Sequence, residues 1–205
     1  LVDVPKEIPM SPTQRTPRLD SFTPIHKGLR RLMFEAGVEL ARTDFANAAA
    51  TSAAERAVAT CLRLLREHAD VEDRHVLPLV ERADPDLAQA IALEHPSLER
   101  AAIAVDTLWP RLAALEGTAR IELGDELVRR FNALVAEQLR HLDREERQVN
   151  AALWAALTDA EIGASSVAIV RELGPERMAE WGQVLAKSLN ASELAAMEAR
   201  RAKAT

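Results

Sequence analysis

An all-α fold is predicted by three features of this chain: an Ala- and Leu-rich composition, apolar residues recurring at helical spacing, and start and stop signals between those segments. Of 205 residues, 48% are hydrophobic, 3% are aromatic, 7 are Gly and none is Tyr. Ala, Leu, Arg and Glu lose little freedom in a helix. A β-sandwich would call for more Val, Ile, Thr and aromatic residues. The expected architecture is an up-down-up-down antiparallel four-helix bundle over residues 22–157. A Pro-rich N-terminal arm, extended or disordered, is expected over 1–21, and additional C-terminal helices over 158–205.

The arm holds Pro5, Pro9, Pro12 and Pro17 among scattered charges, a pattern of extended chain. Thr23-Pro24 is a helix start. The first helix is predicted from about Pro24 to Ala41, with Ile25, Leu29, Leu32, Met33, Ala36 and Leu40 on one face. A connection over 43–52 follows. Ser52 is a candidate cap with Glu55 three residues on. The second helix is predicted from Ala53 to about Ala83, with a stripe of Val58, Cys61, Leu62, Leu65, Val76 and Leu79 and a kink near Pro78. Asp84-Pro85 opens the third, which reaches Leu115 and is bent or broken by Pro96 and Pro110. The fourth runs from about Thr118 to Leu157, with Leu127, Phe131, Leu134 and Val149 on one face. Gly174-Pro175 divides two further helices, 159–173 and 175–203. Trp181, Leu185 and Leu189 either dock them on the bundle or mediate a homodimer.

Charge and composition exclude several function classes. The net charge is −6 with both signs interspersed, so no basic stripe offers itself to nucleic acid. No apolar run approaches the roughly 20 residues a membrane span needs. One cysteine, Cys61, leaves no intramolecular disulfide and no Cys-rich zinc site. It is read as a small core residue, and a cytoplasmic setting is the expectation. Trp109, Trp154 and Trp181 are read as packing residues, and Glu67 and Glu146 as surface charges. No Rossmann or P-loop glycine pattern occurs.

The five histidines carry the chemical signal. His26, His68, His95 and His141 fall on the apolar stripes of four separate predicted helices. A core histidine needs a partner, because burying an unpaired polar group costs roughly 2–7 kcal/mol against an alkane reference. Glu72, Glu99 and Glu145 each stand four residues after a histidine, on the same helical face. Imidazole with carboxylate suits iron, manganese or zinc. At ~1.5 Å of rise per residue, His26 and His68 each lie about 22 Å from the first connection. His95 and His141 each lie roughly 30 Å or slightly more from the third. In an up-down-up-down bundle all four reach one level.

These residues resemble the haemerythrin-like (HHE cation-binding) family. The stretch His68-Ala-Asp-Val-Glu72-Asp-Arg-His75-Val-Leu-Pro78-Leu is similar to that family's second-helix signature. Glu94-His95 and His141-Leu-Asp-Arg-Glu145-Glu146 resemble those of its third and fourth helices, and His26 fits the first. The resemblance covers about 22–157. It implies two non-haem irons, oxo- or hydroxo-bridged, held by His26, His68, His95 and His141 with Glu72 and Glu145 bridging. Manganese or zinc is the lesser expectation. Oxygen-carrying members use five histidines and an Asp five residues after the fourth-helix histidine. Here Glu145 stands at four and Glu146 at five. Glu99 and His75 are the candidates for a further ligand.

The implied function is binding or sensing of oxygen, nitric oxide or iron. The alternative is a di-iron enzyme that consumes peroxide or oxygen, and a third reading is a regulatory module in which the metal only fixes the fold. A ferritin-like site would need two Glu-x-x-His pairs, and only Glu72-Asp-Arg-His75 matches. A His-Glu-x-x-His zinc hydrolase motif is missing.

Overall fold

The computed structural model describes residues 18–203. Within them every regular element is helical, and no strand occurs. The elements are α1 (Thr23–Ala41), α2 (Thr51–His75), α3 (Leu77–Ala83), α4 (Pro85–Asp106), α5 (Leu108–Ala113) and α6 (Gly117–Arg144). A π-helical turn (Glu145–Val149) then leads into α7 (Asn150–Ala156), α8 (Asp159–Ala186) and α9 (Ala191–Lys203).

Local chemistry sets most boundaries. Asp20 accepts hydrogen bonds from the backbone N–H groups of Phe22 and Thr23 at 3.0 and 2.9 Å, which opens α1. Asp84 caps α4 by accepting from the Leu87 N–H. Thr158 and Glu161 form a reciprocal capping box on α8. The expected box at Ser52 is absent. Helix α2 starts at Thr51, two residues before the expected Ala53, and Thr51 donates back to the Ala48 carbonyl instead.

Three predicted long helices are interrupted. The second ends at His75 and resumes at Leu77, because Pro78 has no N–H and its ring crowds the preceding turn. This shifts the buried face, so Val80 is 1% exposed and Leu79 only half-buried. The third continues through Pro96 but breaks at Thr107, three residues before Pro110. The fourth widens into the π turn. At the C-terminus Gly174 divides α8 as expected, at φ 71° and ψ 175°, and a second break over Lys187–Asn190 separates α9. Trp181 and Val184 pack in the cluster with Leu29, Leu189 is buried, and Leu185 is only half-buried.

Residues 1–17 of the predicted arm lie outside the described residues. Its last part is anchored. Arg18 donates to the carbonyls of Trp154 and Leu157 and to Asp159, and Trp154 donates to the Leu19 carbonyl.

Two helix pairings make their contacts in reversed order. Asp73 on α2 meets His95 on α4, whereas the earlier Arg66 meets the later Glu99 and Asp106. Between α1 and the segment formed by α6 and the π turn, His26 meets Glu146 and Gly37 faces Phe131. Two apolar clusters result. One gathers Leu29, Met33, Leu65, Leu98, Phe131 and Leu134. The other gathers Phe22, Val76, Val80, Ile91, Val149 and Leu153. His26, His68 and His95 each lie in sequence between a residue of one cluster and a residue of the other, whereas His141 lies between Leu134 and Leu142 of the first.

Candidate metal centre

Each site residue is placed by the stripe that buries it. His26 lies on α1, His68 and Glu72 on α2, His95 on α4 and His141 on α6, with Glu145 opening the π turn. All six are between 0% and 7% exposed. They form two overlapping donor groups. His26, His68, Glu72 and Glu145 make one, and His95, His141, Glu72 and Glu145 the other. The buried groups can therefore hold a metal ion.

The distances fit shared coordination. His26 Nε2 stands 3.2 Å from His68 Nε2, and His95 Nε2 stands 3.2 Å from His141 Nε2. Two donors about 2.1 Å from one ion stand roughly 3.0 Å apart at a right angle and roughly 3.4 Å apart at a tetrahedral one. The carboxylates divide between the groups. Glu145 presents Oε2 to His26 at 3.4 Å and Oε1 to His141 at 3.2 Å. Glu72 presents Oε1 to His68 at 3.3 Å and Oε2 to His95 at 3.9 Å. Glu72 Oε2 and Glu145 Oε2 are buried without a hydrogen-bond donor among the described residues. A buried carboxylate oxygen with no donor is costly unless a proton or a cation meets it.

A second layer aims the imidazoles. Nδ1 of His26 meets Glu146 at 3.0 Å, that of His95 meets Asp73 at 2.7 Å, and that of His141 meets Glu94 at 2.8 Å. An ionised carboxylate only accepts. Each of these Nδ1 atoms therefore carries the proton, and each Nε2 turns a lone pair into the centre. Facing lone pairs repel unless positive charge lies between them.

Electrostatics agrees with that demand. A proton on Nε2 can be that charge in the metal-free site: burial opposes a charged His95 and His141, yet hydrogen bonds from the protonated rings to Glu145 prevail and both are shifted upward. Burial also opposes ionisation of Glu145, but His141 and His95 hold its carboxyl below the ordinary range. Burial and then the Glu145 charge push Glu72 well above it. Burial, reinforced by His26, pushes His68 well below its ordinary value.

The two extra ligand candidates are not brought into the donor groups. Glu99 points to Arg66 at 2.9 Å, and His75 pairs with Glu172 at 2.5 Å. Glu67 and Glu146 are not free surface charges. Glu67 accepts from Trp181 and Arg177, and Glu146 holds His26 and Arg30. The roles of Asp73, Glu94 and Glu146 behind the histidines went unread in the sequence. The available signal was position, since each is the sequence neighbour of a donor residue. A cavity of about 30 Å³ adjoins the centre, lined by His68, His95, His141, Leu98 and Gln138, with Arg66 and Glu99 also on its wall.

No family model, no curated protein and no solved structure matches this chain.

Proposed function

We propose that residues 22–157 form an up-down-up-down four-helix bundle of haemerythrin-like type whose centre holds two cations, and that these are non-haem iron. The reversed contact order in two helix pairings supports the topology. The observation that carries the two-ion reading is the division of both carboxylates. Glu72 and Glu145 each give one oxygen to the His26–His68 pair and the other to the His95–His141 pair. A single ion would use both donor groups poorly, whereas two ions bridged by two carboxylates use all six side chains. Four imidazoles and two carboxylates, with no thiolate, suit iron over softer metals.

Bound iron would supply redox chemistry and an open position for a small exogenous ligand. The chain's own side chains supply the setting. Glu146, Asp73 and Glu94 hold three imidazoles in the binding tautomer. The flanking apolar clusters limit water. The adjoining cavity has room for about two water-sized molecules, which suits dioxygen, peroxide or nitric oxide.

Elemental analysis and visible spectroscopy of aerobically purified protein test the reading. The expected result is about two irons per chain with near-ultraviolet absorption from a bridged ferric pair. Protein that takes up no iron on reconstitution overturns it. A second reading, consumption of peroxide or oxygen, is favoured by the diversion of Glu99 and His75 to Arg66 and Glu172. Six protein donors leave coordination positions for a reacting molecule. Iron-dependent decay of hydrogen peroxide selects this reading over simple binding.

A further inference from the structure

We infer that the two cation positions are unequal, and that the His95–His141 position fills first because two carboxylates, Asp73 and Glu94, stand behind its imidazoles. The inference rests on the metal-centre reading and goes beyond it, since it assigns an order of loading and the residues that set it.

The asymmetry lies one layer out from the donors. Both histidines of the second pair are backed: His95 Nδ1 by Asp73 at 2.7 Å and His141 Nδ1 by Glu94 at 2.8 Å. In the first pair only His26 is backed, by Glu146 at 3.0 Å. His68 has no such carboxylate among the described residues, and its ring borders the cavity. A carboxylate behind an imidazole makes the opposite nitrogen a better donor and fixes the ring for binding.

Counter-charges sharpen the difference. Arg30 meets the same Glu146 oxygen that holds His26, at 2.6 Å. The first pair's one carboxylate is therefore neutralised. Arg144 neutralises Glu94 at 2.6 Å. Among the described residues no Arg or Lys pairs with Asp73. The net charge behind the first pair is about zero and that behind the second about −1. Glu145 stands about equally near both pairs, 3.4 Å from His26 and 3.2 Å from His141, and Glu72 stands nearer the first, 3.3 Å from His68 against 3.9 Å from His95, so the shared carboxylates do not favour the second position and this outer layer decides which fills first. Asp73, Glu94 and Glu146 are positioning residues, acting through the imidazoles.

The test is titration of the metal-free full chain with cobalt(II), followed by calorimetry and visible absorption. Wild type should load in two steps. Asp73→Asn and Glu94→Gln keep an oxygen for the Nδ1–H but remove the charge, and each should weaken the first step by roughly 10- to 100-fold. Glu146→Gln should weaken the second step and spare the first. His95→Ala should abolish the first step, and His26→Ala should leave it. Thermal melting of each metal-free variant close to wild type separates these effects from misfolding, and Asp73→Glu should restore part of the affinity.

Equal weakening of both steps by every variant, or a first step most sensitive to Glu146→Gln, overturns the inference while leaving a two-ion centre standing. A single step that follows Asp73 and Glu94 but not Glu146 upholds the preferred position and sinks the two-ion reading. A wild-type chain that binds no cobalt sinks both.

Discussion

Within two turns, α1 passes from Phe22, packed among Val76, Ile91 and Val149, to His26 among imidazoles and carboxylates, and back to Leu29 in the other apolar cluster. The apolar regions are self-sufficient. Burying one Leu or Phe side chain there contributes about 1.5–3 kcal/mol, and no partner from outside is called for. The polar layer has donors facing donors and carboxylate oxygens without protons to accept. It is a region built for a guest, and its stability depends on whether the guest is present.

Four substitutions break or sharpen that contrast, in falling order of effect. Phe131→Ala, at a ring with 0% exposure, should cost about 3–5 kcal/mol. Denaturant unfolding should return the same loss with and without metal, since the ring lies in the apolar part. Glu72→Leu should separate the two conditions. Without metal it removes a buried carboxyl set against Glu145 and should be neutral or stabilising by about 1–4 kcal/mol. With iron or cobalt supplied, the same variant should lose the metal-induced rise in Tm that wild type shows. A Glu72→Leu chain that binds and is stabilised like wild type would remove that carboxylate from the centre.

Asp20→Ala should cost about 1–2 kcal/mol by uncapping α1. Burial pushes the Asp20 carboxyl upward, but hydrogen bonds from Thr23, Asn150 and Phe22 prevail and hold it below its ordinary value. A lowered folded value means the contribution is complete above the unfolded value of about 3.9. It is lost as pH falls through the folded value. The Tm gap between wild type and Asp20→Ala should therefore be constant near neutrality and shrink in acid below about pH 4. Last, Arg63→Ala breaks an exposed pair with Glu180 and should change stability by less than about 1 kcal/mol. A larger loss would mean that the tie between α2 and α8 is more than a screened surface contact.

The helices and the four central histidines were legible because both rest on short-range periodicity, while the choice of Glu72 and Glu145 among the glutamates at that spacing came from the family resemblance. A histidine in phase with Leu29 and Met33 must face where they face. Rise per residue then brings His26, His68, His95 and His141 to one level. Other features depend on contacts across the fold. The break at Val76 was foreshadowed by Pro78, but its consequence, Val80 replacing Leu79 in the core, depends on how α3 reorients. Glu146 read as a surface charge because its helical phase is outward. The π turn starting at Glu145 widens the helix and lets adjacent glutamates serve the same histidine from two sides. Ser52 matched a capping pattern, yet the loop from Arg42 to Ala50 closes with its own turns and leaves Ser52 inside α2. Glu99 had the same spacing from His95 that Glu145 has from His141, and only Arg66 across the interhelical gap decides that it turns away.

Gly174 has φ 71° and ψ 175°, a backbone state open essentially to glycine alone. The bend lets one limb of α8 place Ile162 in the cluster with Phe22 and the other place Trp181 and Val184 in the cluster with Leu29. Helix α8 is thus a splint laid across the seam, fastened on both banks. A charged, water-seeking stratum through a small protein invites its two ends to melt separately. With the splint in place neither bank can open without dragging on the other, so denaturation of the metal-free chain should proceed as one cooperative event, with coincident transitions by different probes.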